Sequence, residues 1–449
     1  MSSDLSRREF LNTALGTAAV LTASRSLRAS ARPRPNILFI LADDLGYGDL
    51  SCYGRPDYQT PVLDALAREG IRFTSNYSAA PLCTPTRCAY ITGRYPQRLP
   101  VGLEEPLKKD KPNLGLPPDH PTIASLLKNV GYHTALVGKW HLGWKPEFGP
   151  NRHGFDEFFG ILSGAADYFT HRSMDSPGAG KTAVPDLREN LDPVERIGYL
   201  TDLFTDKAVE LISRQQSPFF LSLQYNAPHS PWEGPADGTI DHEDHGAGPM
   251  VEGGSLKTYA AMMRSMDSGI GRVLAALKQR RIERETLVIF TSDNGGERYS
   301  FNWPFSFQKS YLWEGGIRVP AIARWPGVIP SGRETAHAAI TMDWTATILA
   351  AGGASADPRY PLDGEDLMPI CRGSHPDYDR TLFWRTHSRD AARMGRWKYL
   401  KDSGDEHLFD LSNDPGEKAE LRTRHPEVFE KLRKEFRAWD TQMLPRPAS

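Results

Sequence analysis

The stretch NILFILADD, Asn36 to Asp44, decides the fold. Its residues through Ala42 form a continuous apolar run, which reads as a strand buried on both faces. Such strands belong to parallel sheets covered by helices on both sides. The pattern repeats outward from it. DYQTPVLDALAREG, Asp57 to Gly70, has helix spacing at Val62, Leu63, Leu66 and Ala67, with Gly70 as its stop. TIASLLKNVGY is another short helix, and HTALVG is the strand after it. PFFLSLQY, Pro218 to Tyr225, is a third strand. TYAAMMRSMDSGIGRVLAALKQRR carries apolar residues at 259, 262, 263, 266, 270, 273, 274 and 277, the stripe of a long amphipathic helix. It feeds TLVIFTS, Thr286 to Ser292, a fourth strand. The alternation predicts an α/β sandwich with a large, mostly parallel sheet flanked by helices.

After about Gly353 the character changes. TLFWRT, RWKYLK and EHLFDL are short alternating strands, and a charged helix runs from about Pro426 to Trp439. The expected division is a main domain over 33–353 and a small C-terminal α+β lobe with an antiparallel sheet over 354–449. The segments 170–192 and 235–254 read as long loops, of the kind that line sites.

The chain has 449 residues, 39% hydrophobic and 24% charged, with a net charge of −2. That is ordinary globular composition with no nucleic-acid footprint. Four cysteines (Cys52, Cys83, Cys88 and Cys371) are too few for a disulfide scaffold. At the N-terminus SRREFL precedes a weakly apolar run, and Ala29 and Ala31 form an A-x-A site. Paired arginines before such a run resemble a twin-arginine export signal over 1–31, which predicts a periplasmic or secreted protein. The run is too short and too polar to span a bilayer.

In open α/β sheets ligands gather at the carboxyl ends of the strands. Asp43-Asp44 follows the first strand and Asp293-Asn294 the fourth. Lys139 and His141 follow HTALVG, and His229 follows PFFLSLQYNAP. Three carboxylates at one edge would repel each other and raise their pKa values unless a cation joined them. All-oxygen ligands suit Ca²⁺ or Mg²⁺ and disfavour zinc. For a single Asp, a helix N-cap would be the plainer explanation. If Arg87, Lys139 and Lys309 converge on the same edge, the site is left positive, which suits a tetrahedral anion.

CTPTRCAYITGR, Cys83 to Arg94, fits no zinc spacing and no disulfide framework. It resembles the signature of the type I, formylglycine-dependent sulfatases: C-x-P-x-R followed by a Thr-Gly-Arg turn. ILADDLGYGD, GKWHLG, HGFDEFFG, NAPHSPW, TSDNGG, KSYLWEGGIRVP and HLFDLSNDPGEKAEL resemble that family in the same chain order, from about Pro35 to Leu421. The resemblance implies an alkaline-phosphatase-like sandwich and hydrolysis of sulfuric esters. It implies that Cys83 is oxidised to Cα-formylglycine, whose hydrate is the nucleophile, by a formylglycine-generating enzyme before twin-arginine export. Asp43, Asp44, Asp293 and Asn294, with residue 83, match the metal ligands, usually of Ca²⁺. Arg87 would orient the hydrate, and Lys139 and Lys309 would hold sulfate oxygens. His141 would take the second hydrate proton, and His229 would serve the leaving oxygen as general acid.

Without the resemblance, Cys83 would be a buried free thiol or half of a Cys83–Cys88 disulfide. The other cysteines read as structural, and most other histidines as surface or packing residues. DYFTH and NAPHSPWEGP resemble segments of N-acetylgalactosamine-6-sulfatase-like enzymes, which favours a sulfated sugar over a simple aryl sulfate. Asp167, Tyr168, His171 and Trp232 are candidates to line that pocket, with Glu233 and His242 behind them. Two other functions compete. A phosphoester or phosphonate-ester hydrolase of the same superfamily would carry an Asp-His metal pair where Asp293-Asn294 stands. A non-catalytic binder of sulfated glycans would be expected to have lost Cys83, a metal ligand or a lysine, and none is lost.

Overall fold

A computed structural model describes residues 34–174, 184–215, 218–238 and 253–447. The expected export signal, most of the 235–254 loop and His242 lie outside them. Residues Pro35–Ser449 form one compact unit.

Its centre is a ten-stranded sheet. From one edge the strands run Arg333–Thr335, Ile71–Phe73, Ala321–Arg324, Thr286–Ser292, Asn36–Ala42, Phe219–Gln224, His133–Lys139, Glu157–Ile161, Leu187–Glu189 and Asp192–Pro193. The five strands from Thr286–Ser292 to Glu157–Ile161 are mutually parallel. Antiparallel pairs occur only towards the two edges, at Ala321–Arg324 and at the last two strands.

Strand Asn36–Ala42 is buried along its whole length. Its Leu38, Ile40 and Ala42 join the core under helices Pro61–Glu69, Leu200–Arg214 and Leu256–Gln279. Ile37, Phe39 and Leu41 join the opposite core with helices Cys83–Thr92, Ile123–Asn129 and Thr341–Gly352. A strand covered on both faces has no need of polar alternation, which is why its run is continuous. Burying each such side chain stabilises the fold by roughly 1.5–3 kcal/mol. The long helix Leu256–Gln279 is capped by Ser255, whose hydroxyl accepts from Thr258 N at 3.0 Å.

A four-stranded antiparallel sheet (Thr381–Arg385, Asp390–Met394, Trp397–Asp402, Asp405–Asp410) and helix Pro426–Asp440 build the C-terminal lobe. Lys398 is fully buried there, 2.9 Å from Glu314 and 2.7 Å from Glu417, tying the lobe to the main sheet's loops. The 170–192 segment is not wholly a loop, because Leu187–Glu189 pairs with Glu157–Ile161. Helices Leu200–Arg214 and Thr341–Gly352 have no counterpart in the sequence reading. Thr341–Gly352 is buried nearly all round, so it shows no amphipathic stripe to find.

Candidate active site

The adjacent strands ending at Ser292, Ala42, Gln224 and Lys139 bring their carboxyl ends to one edge. Asp293-Asn294, Asp43-Asp44, His229 and His141 follow directly. Helix Cys83–Thr92 starts at this edge. All its residues are buried, and it stops at Gly93 in the left-handed conformation, φ 70°. Cys83 is its first residue, and Arg87 lies one turn further on.

Arg87 is fully buried and binds on both sides. Its Nε and Nη2 donate to Asp293 Oδ2 at 3.1 and 2.9 Å. Its Nη1 donates to Lys139 O at 3.0 Å and to Gln224 Oε1 at 2.8 Å. Lys139 Nζ lies 2.6 Å from Asp43 Oδ2. Lys309 Nζ lies 2.6 Å from Asp44 Oδ2 and 3.1 Å from His229 Nε2. Asp44 Oδ1 accepts from Asn294 Nδ2 at 2.7 Å, and Asp44 N donates to Asp293 Oδ1 at 3.2 Å. Ligand atoms of Asp43, Asp44, Cys83 and His229 all lie within 4.8 Å of one another.

Three non-glycine residues here hold the left-handed backbone: Asp44 at φ 62°, His141 at 57° and Ser310, beside Lys309, at 75°. Each costs on the order of 1 kcal/mol and persists because the surrounding contacts impose it.

Burial works against the Asp43 carboxyl, yet Lys139, His229, Arg87 and Lys309 hold it well below the carboxylate range. Burial, with Asp43 beside it, pushes Asp293 up to about 7 against the pull of Arg87. Burial pushes the Cys83 thiol up to about 12, although both lysines oppose this. As a thiol, residue 83 is therefore a poor nucleophile at neutral pH. Burial and then Lys309 bring His229 down to about 4, so its imidazole is neutral. Its Nδ1 faces the Ser230 carbonyl at 2.5 Å and must carry the proton, which leaves Nε2 to accept from Lys309. Burial likewise lowers His141. Its Nε2 faces the Leu107 carbonyl at 3.0 Å, and its buried Nδ1 has no partner among the described residues. That nitrogen is left as a proton acceptor.

Two buried oxygens, Asp43 Oδ1 and Asn294 Oδ1, have no hydrogen-bond partner among the described residues. The Asn294 amide is oriented by its Nδ2 bonds to Asp44 Oδ1 and Gly295 O. Orphaned oxygens beside two more carboxylates fit a hard divalent cation.

The substrate candidates sit differently. Tyr168 is fully buried. Its hydroxyl lies 3.0 Å from Asn226 O and 2.9 Å from His229 O, so it props the His229 backbone rather than opening onto a pocket. Glu233 accepts from Tyr168 N at 2.9 Å behind it. Asp167 is buried and accepts from Phe169 N and Thr170 N in a local turn. Trp232 is buried edge-on to Tyr299, ring centroids 4.9 Å apart. His171 lines a cleft of about 570 Å³, where none of the residues described above as the site appears. All four cysteines are free, including Cys83 and Cys88.

Gln224 escapes the sequence reading. Its Nε2 donates to Ser222 Oγ at 3.1 Å, and Ser222 Oγ is 3.1 Å from the Tyr90 hydroxyl. The signal was Ser222 and Gln224 alternating along one face of an otherwise apolar strand. Gly164 is a second omission. A Cβ there would stand 2.5 Å from His141 Cε1, so only glycine leaves room for the ring.

Comparison with known proteins gives the family. A family model described as Sulfatase matches residues 35–354, and one described as N-sulphoglucosamine sulphohydrolase, C-terminal, matches 302–442. N-acetylgalactosamine-6-sulfatase of Canis lupus familiaris is 34% identical over 84% of this chain and 74% of its own. Steryl-sulfatase of Mus musculus is 32% identical over 96% and 86%. The crystal structure of Ps i-CgsB in complex with k-i-k-neocarrahexaose is 33% identical, with a TM-score of 0.81, over 92% of this chain and 94% of that one.

Proposed function

The chain belongs to the sulfatase family and is a sulfate-ester hydrolase, and on that premise we propose that it releases sulfate from a sulfated carbohydrate through a formylglycine made from Cys83 and one divalent cation. The observation that carries this is the convergence of three carboxylates, an amide, three bases and two histidines on buried residue 83. The sugar preference is supported by the N-acetylgalactosamine-6-sulfatase relative and by the neighbour solved with neocarrahexaose.

Asp43, Asp44, Asp293, Asn294 and residue 83 would hold Ca²⁺ or Mg²⁺. When bound, the cation draws charge from a sulfate oxygen and favours ionisation of the attacking hydroxyl. Lys139 and Lys309 hold sulfate oxygens and offset the charge that develops on them. Arg87, fixed at four contacts, orients residue 83. Neutral His229 cannot donate from Nε2 by itself. Lys309, held protonated by Asp44 despite burial and 3.1 Å from His229 Nε2, gives the proton to the departing sugar oxygen, and His229 orients the lysine there. His141 Nδ1 takes the proton from the hydroxyl left on residue 83, so that the aldehyde re-forms as sulfate leaves.

The test is to express the protein in a host with formylglycine-generating activity. The Cys83 peptide is weighed and 4-nitrophenyl sulfate hydrolysis is read with and without a chelator. The expected result is a peptide lighter by the difference between CH₂SH and CHO, with cation-dependent turnover. An unconverted, inactive protein from that host refutes the nucleophile. We further propose export by the twin-arginine route to the periplasm or medium. Replacing Arg7 and Arg8 with lysine should retain the protein inside the cell.

A further inference from the structure

A cavity of about 620 Å³ lies where the C-terminal lobe meets the main sheet, and none of the catalytic or metal residues lines it. Its walls include Arg318, Arg380, Arg393 and Arg396 against two carboxylates, Asp377 and Asp379. Three of the guanidiniums are already neutralised. Arg318 pairs with Glu314 at 3.1 Å, Arg380 with Asp343 at 2.8 Å, and Arg396 with Asp410.

Arg393 is different. It is 8% exposed, and its bonds go to neutral groups: Nη1 to the Tyr77 hydroxyl at 2.7 Å and Nε to Gly395 O at 3.0 Å. Among the described residues no carboxylate lies within ion-pair distance of it, while Glu314 feels its charge and Asp379 packs against Gly395. Beneath the cavity Glu314 and Glu417 are balanced by Arg318 and Lys398. Arg393 is therefore a buried guanidinium with no direct ion pair among the described residues, and such a charge favours an anionic partner.

His337 shares the wall at 1% exposure, and both of its ring nitrogens lack partners among the described residues. A buried imidazole offers at least one N–H, and leaving it unmet costs free energy that a ligand would recover. Tyr378, 38% exposed, lies with its ring 4.7 Å from that of His337. Asp377 is occupied by the Thr335 hydroxyl at 2.8 and 3.0 Å.

We propose that this cavity is a second oxyanion site, separate from the catalytic one, in which Arg393 and His337 take a sulfate group, free or esterified on a sugar. The cavity is larger than an inorganic sulfate requires and leaves room for the ring that carries it.

The test uses the full chain and equilibrium dialysis against labelled inorganic sulfate, with a sulfated galactosaminoglycan tetrasaccharide and its desulfated form in parallel. Lys309→Ala weakens the catalytic site so that the second can be read alone. In that background His337→Leu should weaken sulfate binding about tenfold or more, the usual effect of losing a hydrogen bond to a charged group. Arg393→Gln, which removes the charge and keeps an amide donor on that side of the Tyr77 hydroxyl, should act in the same direction. The changes at the cavity, each by itself, should leave 4-nitrophenyl sulfate turnover unaltered. If the tetrasaccharide but not free sulfate shows the His337 dependence, the occupant is an esterified sulfate. If neither ligand shows it, the second site does not exist, whether or not Lys309→Ala abolishes all sulfate binding. Wild-type turnover of 4-nitrophenyl sulfate in the same samples reports separately on the catalytic assignment.

Discussion

Gln224→Met is the most informative single change at the catalytic centre. The side chains are close in volume, and Gln224 is 1% exposed, so no cavity opens. The substitution removes the acceptor that meets Arg87 Nη1 at 2.8 Å and the donor that meets Ser222 Oγ at 3.1 Å. A hydrogen bond to a charged group contributes about 1.5–3 kcal/mol. Arg87 keeps both bonds to Asp293 and the one to Lys139 O, so it loosens without leaving. Part of the loss falls on stability, about 1 kcal/mol, which a domain stable by roughly 5–15 kcal/mol survives. The rest falls on kcat, which should drop about tenfold with KM little changed, because Arg87 orients residue 83 rather than gripping the substrate. Steady-state kinetics with 4-nitrophenyl sulfate and urea denaturation read the two parts. Ser222→Ala, which frees the same amide from its other side, should give a smaller loss in the same direction. If Gln224→Met matches wild type in kcat within twofold, Gln224 does not position Arg87 and the reasoning fails.

Gly164→Ala should push the His141 ring off the Leu107 carbonyl, costing at least tenfold in kcat together with about 1–3 kcal/mol of stability from overpacking. Asn294→Ala removes one of the two orphaned oxygens and should weaken calcium binding about tenfold or more, read by calorimetry on chelator-treated protein. The same chelation should lower the wild-type melting temperature, and added calcium should restore it. The Glu417 carboxyl is raised to about 7 by burial, with Lys398 opposing and Glu314 reinforcing the shift. A folded pKa above the unfolded value of about 4.5 means that the native state binds the extra proton, so this contribution to stability falls as pH rises from about 4.5 to 7. Glu417→Gln should therefore gain on wild type in denaturation midpoint at pH 8 relative to pH 5, and equal differences at the two pH values would contradict it. Tyr168→Phe should lower kcat more than stability, because its hydroxyl fixes the carbonyl of His229, which we propose acts at the leaving oxygen.

Sequence periodicity was enough for the elements with a clear physical signature. Asn36–Ala42 and Thr286–Ser292 are uncharged because both of their faces are covered, and Leu256–Gln279 shows its stripe because one of its faces is wet. The residues that follow those strands are the candidate site, because a parallel sheet presents all its carboxyl ends at one edge. Chain order thus placed Asp43, Lys139, His229 and Asp293 together before any contact was seen. Thr341–Gly352 was illegible because a helix buried all round has no pattern to read. Only the tertiary structure decided that Gln224 grips Arg87, that Tyr168 and Trp232 are buried props, and that Lys309 shares a hydrogen with His229. It also decided that Arg393 and His337 face one cavity. Those are relations between side chains far apart in the chain, set by sheet order and packing. Periodicity records which face of an element is covered, but not what covers it.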